Sequence, residues 1–294
     1  MQLVDTHCHI HEAVRSPLAE PHVQGMWQKA EVSDPDQLVA RAEAQGVTKL
    51  ICVGTSANDS RLAVDFVANR ENCWASIGIH PHEAKDGEAA FEVLRELVGD
   101  AAGASSGHSI VGKTGSAALM RKRAKSSKII AIGECGLDYF YTHSPKQDQI
   151  KALHFQIQLA LAHDLPLIFH VRNAFDDFWP IFDSYQNVRG VLHSFTDSMA
   201  NMQKAIDRGL YIGANGIMTF TKDQAQLDTI RAVPLQKLLL ETDAPFLTPK
   251  PFRGKVNMPA NVSVVAEFLA ELRGEPLQGL AEATTRNSQT LFSF

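Results

Sequence analysis

Histidine and carboxylate residues, the residue types that bind divalent metal ions, follow several apolar segments of this sequence. The stretch VDTHCHIH at residues 4–11 places His7 and His9 two positions apart, beside apolar residues. Residues two apart in a β-strand project to the same side, so this pair has the spacing of a chelate. Taken alone, the histidines of this stretch also fit a histidine-rich surface or the remnant of a purification tag. A metal site therefore requires further ligands elsewhere in the chain.

Later apolar segments supply such candidates, because each ends in an imidazole or a carboxylate: His80, Glu134, His170, His193 and Asp243. Each one alone also fits a hydrogen-bonded core residue or a helix cap. An acidic residue behind a run such as IIAIGE or LLLETD, however, costs free energy unless it is paired or bound to metal. Histidine and carboxylate together suit zinc, manganese or a similar divalent ion. One tetrahedral zinc needs only about four ligands, so the larger set suggests two ions that share a bridging carboxylate.

The segments that must position these residues are apolar on successive positions, which is typical of strands buried on both faces. Helical patterns separate them, one from Ser144, a candidate N-cap, through Leu165 and another closed by Gly274. Strands alternating with helices predict an α/β protein with a single (β/α)8 barrel, in which the carboxyl ends of all strands meet at one rim. The predicted strands lie at 3–10, 49–54, 73–80, 129–136, 166–171, 189–195, 211–216 and 238–243.

The composition is that of an ordinary globular enzyme, with 294 residues, 45% hydrophobic and 21% charged. A net charge of -5 argues against attachment to nucleic acid by general basicity. No apolar run approaches membrane-spanning length, and the N-terminus has no basic stretch followed by an apolar segment, so we expect no membrane span and no secretory leader. The four scattered cysteines form no CxxC pair, which predicts reduced thiols in a cytoplasmic protein. We expect residues 1–294 to form one domain and the protein to be a monomer.

Residues 99–128 interrupt the alternation between the third and fourth strands. They are rich in small residues and then basic, which predicts a flexible insertion. GHSIVGKT at 107–114 matches the phosphate-binding loop pattern, but no strand precedes it, so we expect no nucleotide cofactor. The basic run RKRAK at 121–125 is compatible with a nucleic-acid contact or a targeting signal and, more commonly, with solvated surface.

The motifs together resemble the TatD family of metal-dependent deoxyribonucleases, which are barrels related to the amidohydrolases. The resemblance covers essentially the whole chain outside 99–128. It is carried by VDTHCHI (4–10), GIHPH (78–82), AIGECGLDY (131–139), PLIFHVRNAFDD (166–177), VLHSF (191–195), LLLETDAPFL (238–247), PFRGK with NMP (251–259) and the final TTRNSQTLF.

The resemblance implies a dinuclear site that binds two divalent ions (Zn, Mg or Mn). His7, His9, Glu134 and Asp243 would hold one ion, and Glu134, His170 and His193 the other, with Glu134 bridging. Hydroxide between the ions would attack phosphorus, and Asp243 would orient and deprotonate it. Glu134 and Asp243 are therefore the predicted catalytic residues.

The resemblance also suggests substrate-binding residues. Arg172 and Arg253 suit a phosphate through their fork-shaped donors, although Arg253 is equally compatible with an exposed loop. His80 and Asp138 are further candidates. For Asp138 the alternatives are a hydrogen-bond partner that orients a metal ligand and a turn-forming residue.

The chain departs from the family pattern at two places. His11 stands where the family has Asp or Asn, so we expect it outside the ligand set. Val256 and Met258 replace the arginine and glutamate of the family's RNEP, which puts the substrate end of the site in doubt. Glu134 stands where many related amidohydrolases have a lysine, which favours TatD-like chemistry.

These observations predict a metal-dependent phosphodiester hydrolase, a 3′-5′ deoxyribonuclease acting on single-stranded DNA. The alternative on the same metal centre is an ester or amide hydrolase, such as a deacylase of aminoacyl-tRNA. The two functions differ in the side chains that they require. A phosphate substrate requires positively charged side chains in the site, whereas a neutral carbonyl does not.

Overall fold

The structure, a computed structural model, describes residues 1–99 and 128–294. Its eight parallel strands follow one another in sequence order around a barrel, which confirms the predicted fold class. Their bounds are Leu3–Cys8 (β1), Val47–Val53 (β2), Cys73–Ile77 (β3), Ile129–Asp138 (β4), Leu167–Arg172 (β5), Gly190–Leu192 (β6), Tyr211–Ala214 (β7) and Leu238–Leu240 (β8).

Both faces of the strands are apolar because one faces the barrel interior and the other faces helices. In β5, Ile168 packs with Ile51 and Leu239 of other strands. The next residue, Phe169, makes edge-to-face contacts with Phe178 on the outer helix layer. The period of two along each strand therefore decides which side chains line the interior.

The first and last strands meet through hydrogen bonds at their carboxyl ends. His9 N donates to Ala244 O at 2.7 Å, and Asp243 N donates to His7 O at 2.8 Å. Below them the buried Asp5 carboxylate accepts from the backbone N of Thr242 at 2.9 Å and from its hydroxyl at 2.6 Å. Closure of the barrel thus places His7 and His9 next to Asp243.

The α-helices connect and cover the strands. They are Pro21–Trp27 (α1), Pro35–Ala44 (α2), Ala57–Val67 (α3), Gly87–Val98 (α4), Lys146–His163 (α5), Phe175–Asp183 (α6), Met199–Asp207 (α7), Gln224–Ala232 (α8), Val262–Arg273 (α9) and Leu277–Phe292 (α10). Gly274 ends α9 in the left-handed conformation, as predicted. The predicted cap of α5 was wrong: Pro145 occupies the N-cap, and the Ser144 hydroxyl instead donates to His82 O at 2.6 Å.

Several sequence features can be compared with the part of the chain that the structure describes. There, no helix is both long and apolar enough to cross a membrane. All four cysteines are buried and free, as the prediction of reduced thiols requires. The segments at 107–114 and 121–125, and almost all of the predicted insertion at 99–128, lie outside the described residues.

Candidate metal centre

The structure brings together all six side chains predicted to bind metal. His7 belongs to β1 and His9 follows it, Glu134 lies in β4 and His170 in β5, and His193 and Asp243 come just after β6 and β8. All except the fully buried His7 line a cavity of about 470 Å³, which lies at the carboxyl ends of the strands. This is the end of a parallel barrel at which catalytic residues are found.

Glu134 lies at the centre of the cluster, and its two carboxylate oxygens face different histidines. Oε1 lies 2.9 Å from His170 Nδ1 and 3.1 Å from His193 Nε2. Oε2 lies 3.3 Å from His7 Nε2. The carboxylate therefore stands between two groups of nitrogen donors, the placement required of a bridging ligand.

Asp243 completes the group around β1. Its Oδ1 lies 3.3 Å from His9 Nε2 and 3.7 Å from His7 Nε2. Its side chain is 16% exposed and faces the cavity, so a water molecule can reach it. The residue has φ 59°, in the left-handed region that Asp and Asn tolerate better than most residues.

Glycines allow the ligand-bearing strands to approach closely. A Cβ on Gly78, after β3, would overlap the backbone of Gly133 and Glu134. A Cβ on Gly136 would overlap the carbonyl of His170. Larger residues at these two positions would push Glu134 away from the histidines.

The donor set fits divalent metal ions. His7 is completely buried, yet neither ring nitrogen makes a hydrogen bond within the described residues, and Nε2 points at Glu134 and Asp243. A buried imidazole without partners is costly unless another group satisfies it. Four sets of donors within the described residues are each close enough to share an ion: His7 with His9 and Glu134, His7 with His193 and Glu241, His9 with His11 and Asp59, and His80 with Glu134 and His170.

The protonation states of His7 and the two carboxylates favour metal binding. Neighbouring carboxylates outweigh burial and raise the pKa of His170 and His193, so these two would release a proton on binding metal. Burial lowers the pKa of His7, and the neighbouring His193 lowers it further, which keeps His7 in the neutral form that ligates metals. Burial alone would raise the pKa of Glu134, but the charges of His193 and His80 hold it well below its ordinary value. Asp243 behaves similarly, because its hydrogen bond with His9 outweighs burial and lowers its pKa. Both carboxylates are therefore ionised at neutral pH.

Partners on the far side of three imidazoles, hydrogen-bonded for His9 and His170 and at ion-pair distance for His193, fix which nitrogen faces the centre. His9 Nδ1 donates to Val53 O at 2.9 Å, which orients Nε2 toward Asp243 Oδ1. His170 Nε2 donates to Asp138 Oδ2 at 3.1 Å, which leaves Nδ1 toward Glu134. His193 Nδ1 faces Glu241 Oε1 at 3.4 Å, and its Nε2 faces Glu134. Such outer partners orient metal-binding histidines.

Glu241 is a functional candidate that sequence reasoning missed. The carboxylate is buried against Gly213, where a Cβ would collide with it, and Oε1 accepts from Ser194 N at 2.5 Å. The sequence contained a signal for this residue. Glu241 directly follows the apolar run LLL and lies two residues after Leu239, so along a strand it points to the same side as Leu239, into the barrel interior.

We expect Glu241→Gln to weaken metal binding by roughly 10- to 100-fold, the usual effect of losing an outer-shell partner. The amide still accepts from Ser194 N but no longer carries the negative charge that stabilises His193 Nδ1–H. Metal titration measures the effect, with Glu267→Gln on α9 as a control. Unchanged affinity in Glu241→Gln would contradict the orienting role.

Of the predicted substrate-binding residues, the structure places two in the cavity wall. His80 lies 3.5 Å from Glu134 Oε1 through its Nε2, while its Nδ1 accepts from His82 N. Arg172 lines the cavity and is exposed. The other two do not line it.

Asp138 is buried, and its Oδ2 contacts both His82 and His170 at 3.1 Å. Its other oxygen accepts from the next backbone turn, so the carboxylate is fully occupied by the protein. Arg253 lies with its guanidinium 3.9 Å from the centre of the Phe220 ring and donates to Thr248 O. Substrate contact by Asp138 or Arg253 remains a prediction.

His11 pairs with Asp59 rather than with Glu134 or Asp243, although its ring lies 6.1 Å from that of His9 and the three residues His9, His11 and Asp59 are close enough to share an ion. β1 ends at Cys8, and a 3-10 helix, Ile10–Ala13, turns the chain before His11. Its Nε2 lies 2.7 Å from Asp59 Oδ1, and both groups are buried. The strand alternation that places His7 and His9 side by side therefore does not extend to His11.

The positions that depart from the family pattern in the loop after β8 are filled by apolar packing. Val256 and Met258 are partly buried against the main core, and neither lines the cavity. Asn257 between them is buried and donates to the carbonyls of Thr242 and Phe246. This loop therefore supports the segment that carries Asp243.

Comparisons with known proteins agree with this geometry. A family model described as TatD related DNase matches residues 4–293. The chain is 34% identical to the uncharacterized metal-dependent hydrolase YcfH of Escherichia coli K12, over 99% of this chain and 96% of YcfH. It is 35% identical to the 3'-5' ssDNA/RNA exonuclease TatD of Salmonella typhimurium, over 88% and 93%. Among solved structures, YjjV, a TatD homologue of E. coli K12, has a TM-score of 0.79 and 29% identity, covering 99% of this chain and 98% of YjjV.

Proposed function

This chain belongs to the family of TatD related DNases and is a metal-dependent hydrolase, and we propose that it removes nucleotides from the 3′ end of single-stranded DNA. We propose further that it uses two divalent ions (Zn, Mg or Mn) and that it works as a monomer. Residues 1–294 act as one catalytic barrel domain that contains the insertion at 99–128. The exonuclease activity of the Salmonella relative supports the choice of reaction.

The observation that carries the proposal is the division of the Glu134 oxygens between two groups of histidines. Oε1 faces His170 and His193, whereas Oε2 faces His7. Glu134 with these histidines would hold two ions, which would supply the charge stabilisation that an in-line displacement at phosphorus needs. Ester hydrolysis at a carbonyl places weaker demands on charge neutralisation, which favours the phosphodiester.

The residues of the chain have distinct parts in the proposed reaction. When bound, the divalent ions supply Lewis acidity and lower the pKa of water. Asp243 accepts a proton from the attacking water, and its ionised carboxylate is accessible from the cavity. As the new P–O bond forms, the bond to the O3′ of the preceding nucleotide breaks, and that oxygen takes up a proton. We assign the donation of this proton to His80, whose Nε2 carries hydrogen when its Nδ1 accepts from His82 N and lies 3.5 Å from Glu134 Oε1.

The charges around the cavity favour the approach of a polyanionic substrate from the side of Arg172. Arg172 is the only arginine or lysine among the described lining residues, and it lies above β5. Above β1–β3 the acidic lining residues are Glu20, Asp59 and Glu83, together with Glu12, which is neutral because burial raises its pKa to about 9. A nucleic acid strand is attracted on the Arg172 side and repelled on the other. A strand that enters from one side and cannot continue past the other has its end in the cavity, which supports an exonuclease.

The acidic lining residues above β1–β3 also favour a second kind of substrate, an aminoacyl ester. An aminoacyl ester carries an ammonium group, which Glu20 and Glu83 would attract. A deacylase of aminoacyl-tRNA therefore stays the second candidate on the same metal centre.

A labelled-substrate panel tests the proposal. We expect divalent-dependent release of mononucleotides from the 3′ end of a single-stranded DNA 20-mer, abolished by a chelator, and slower digestion of the matched duplex. The 3′-labelled strand should lose its label in the first turnover, whereas the 5′-labelled strand should give a descending ladder. Failure on every polynucleotide combined with rapid hydrolysis of an aminoacyl ester would replace the nuclease by the deacylase.

We expect Arg172→Ala to raise KM for single-stranded DNA by roughly tenfold or more, the effect of losing a charge-assisted hydrogen bond to phosphate. Metal content should not change. Arg172→Lys should recover part of the loss, because the charge remains but the bidentate geometry does not. Arg253→Ala should raise KM by less, since Arg253 lies outside the cavity wall. Equal KM values for wild type and Arg172→Ala would remove Arg172 from the phosphate site.

A further inference from the structure

We propose that Phe140, Tyr141 and Arg172 form a nucleotide-binding shelf beside the cavity mouth. On this shelf the base of an unpaired nucleotide contacts the aromatic rings, and Arg172 binds the adjacent phosphate. The inference rests on the proposed nuclease function and assigns a physical origin to its preference for single strands.

The two aromatic residues are unusually exposed. Phe140 is 52% and Tyr141 is 42% accessible, and their rings meet edge to face at 4.7 Å. Of the large hydrophobic side chains that are exposed within residues 1–99 and 128–294, these are the two that adjoin each other. Two neighbouring exposed rings are typical of a surface that binds a flat apolar group.

The shelf is held in a fixed position relative to the metal centre. The backbone N–H groups of Phe140 and Tyr141 both donate to Asp138 Oδ1, at 2.9 and 3.1 Å. The other oxygen of the same carboxylate accepts from His170, one of the predicted metal ligands. One buried side chain thus ties the aromatic turn to the metal centre, so the rings need little reorganisation to bind.

Arg172 packs face-on against this aromatic pair. Its guanidinium carbon lies 3.9 Å from the centre of the Phe140 ring and 5.0 Å from that of Tyr141. Within the described residues no carboxylate lies at ion-pair distance from Arg172, in contrast to Arg189 and Arg208, which both pair with aspartates. Its planar face is thus occupied by a ring, while the N–H edge stays available for a phosphate.

The shelf continues into the cavity. The Tyr141 ring lies 5.4 Å from that of His82, and both His82 and Arg172 line the cavity wall. A strand whose scissile phosphate lies at Glu134 therefore passes the shelf within a short distance.

This chemistry identifies the ligand as a single-stranded polynucleotide. Exposed rings next to an unpaired cation are the arrangement that binds single strands, because bases stack on the rings and phosphates pair with the cation. The bases of a duplex are already stacked on one another and do not present their faces. A purely apolar protein partner would have no use for the unpaired guanidinium.

The test compares the Phe140→Ala/Tyr141→Ala double variant with wild type on two oligonucleotides. One is an intact single strand, and the other has abasic residues at its last three positions. On the intact strand we expect kcat/KM of the variant to fall by roughly tenfold or more, the size of a base–aromatic stack. On the abasic strand wild type and variant should be nearly equal, since no base remains to be stacked.

The two oligonucleotides distinguish base stacking from a role of the rings in holding Arg172. An equal loss on both oligonucleotides would overturn the base contact and show that the rings act only by holding Arg172. An unchanged kcat/KM on the intact strand would overturn the shelf and leave the nuclease proposal standing. If wild type degrades neither strand, both fail together. Phe140→Trp should retain activity on the intact strand, because a larger ring still stacks.

A matched control lies at the opposite end of the barrel. Phe294 stacks on Trp74 at 4.8 Å and has the ammonium of Lys49 above its ring at 4.9 Å. Phe294→Ala removes an aromatic ring with a neighbouring cation, as the shelf variants do, but far from the cavity. Its kcat/KM should equal that of wild type on both oligonucleotides.

Discussion

Glu134→Ala is expected to abolish hydrolysis and to release at least one metal ion per chain. The reason is that Glu134 alone faces both groups of histidines, so its loss removes an oxygen donor from each proposed ion. We expect turnover to fall by a factor on the order of a thousand or more, about 4 kcal/mol of transition-state stabilisation.

Metal analysis of the purified variant, together with turnover at saturating metal, measures both effects. Glu31→Ala, at an exposed position, is the control for general effects of losing a carboxylate. Glu134→Gln keeps the shape of the side chain and removes only its charge. Thermal unfolding of Glu134→Gln and of Glu134→Ala shows whether each variant is still folded. Full activity with unchanged metal content in Glu134→Ala would refute the dinuclear site.

Asp243→Asn is expected to keep most of the metal and yet to be nearly inactive. The amide oxygen still faces the ligand group of His7 and His9, but a neutral amide does not accept a proton from water. Asn is the appropriate replacement because it tolerates the positive φ of 59° at this position, whereas most other residues would add backbone strain. We expect turnover to fall by roughly a hundredfold to ten-thousandfold, the contribution of a general base.

Single-turnover cleavage combined with metal content separates this effect from that of Glu134. Asp164→Asn is a matched control, because Asp164 also has a positive φ, 55°, and lies on the surface at the end of α5. If Asp243→Asn kept more than about a tenth of wild-type turnover, a group other than Asp243 would have to accept the proton of the attacking water. Loss of all metal would show that Asp243 is needed for binding more than for proton transfer.

The amino-acid sequence by itself determined the barrel and the residues at its rim. Segments such as IIAIGECG and PLIFHV are apolar on consecutive positions, the pattern of strands buried on both faces. Because parallel strands share one carboxyl end, Glu134 and His170 were predicted to meet without knowledge of their contacts. The limit of such reasoning is visible at Ser144, whose hydroxyl bonds to His82 rather than capping α5.

Only the tertiary structure decided how these residues are paired. The separation of the Glu134 oxygens, the approach of Glu241 to His193 from another strand, and the packing of Arg172 on Phe140 all join segments far apart in sequence. Strand periodicity fixes the side of the sheet to which a residue points, but distances of about 3 Å depend on how neighbouring strands are staggered around the barrel. His11 shows the same limit, since a turn after Cys8, rather than a change in residue type, directs it to Asp59.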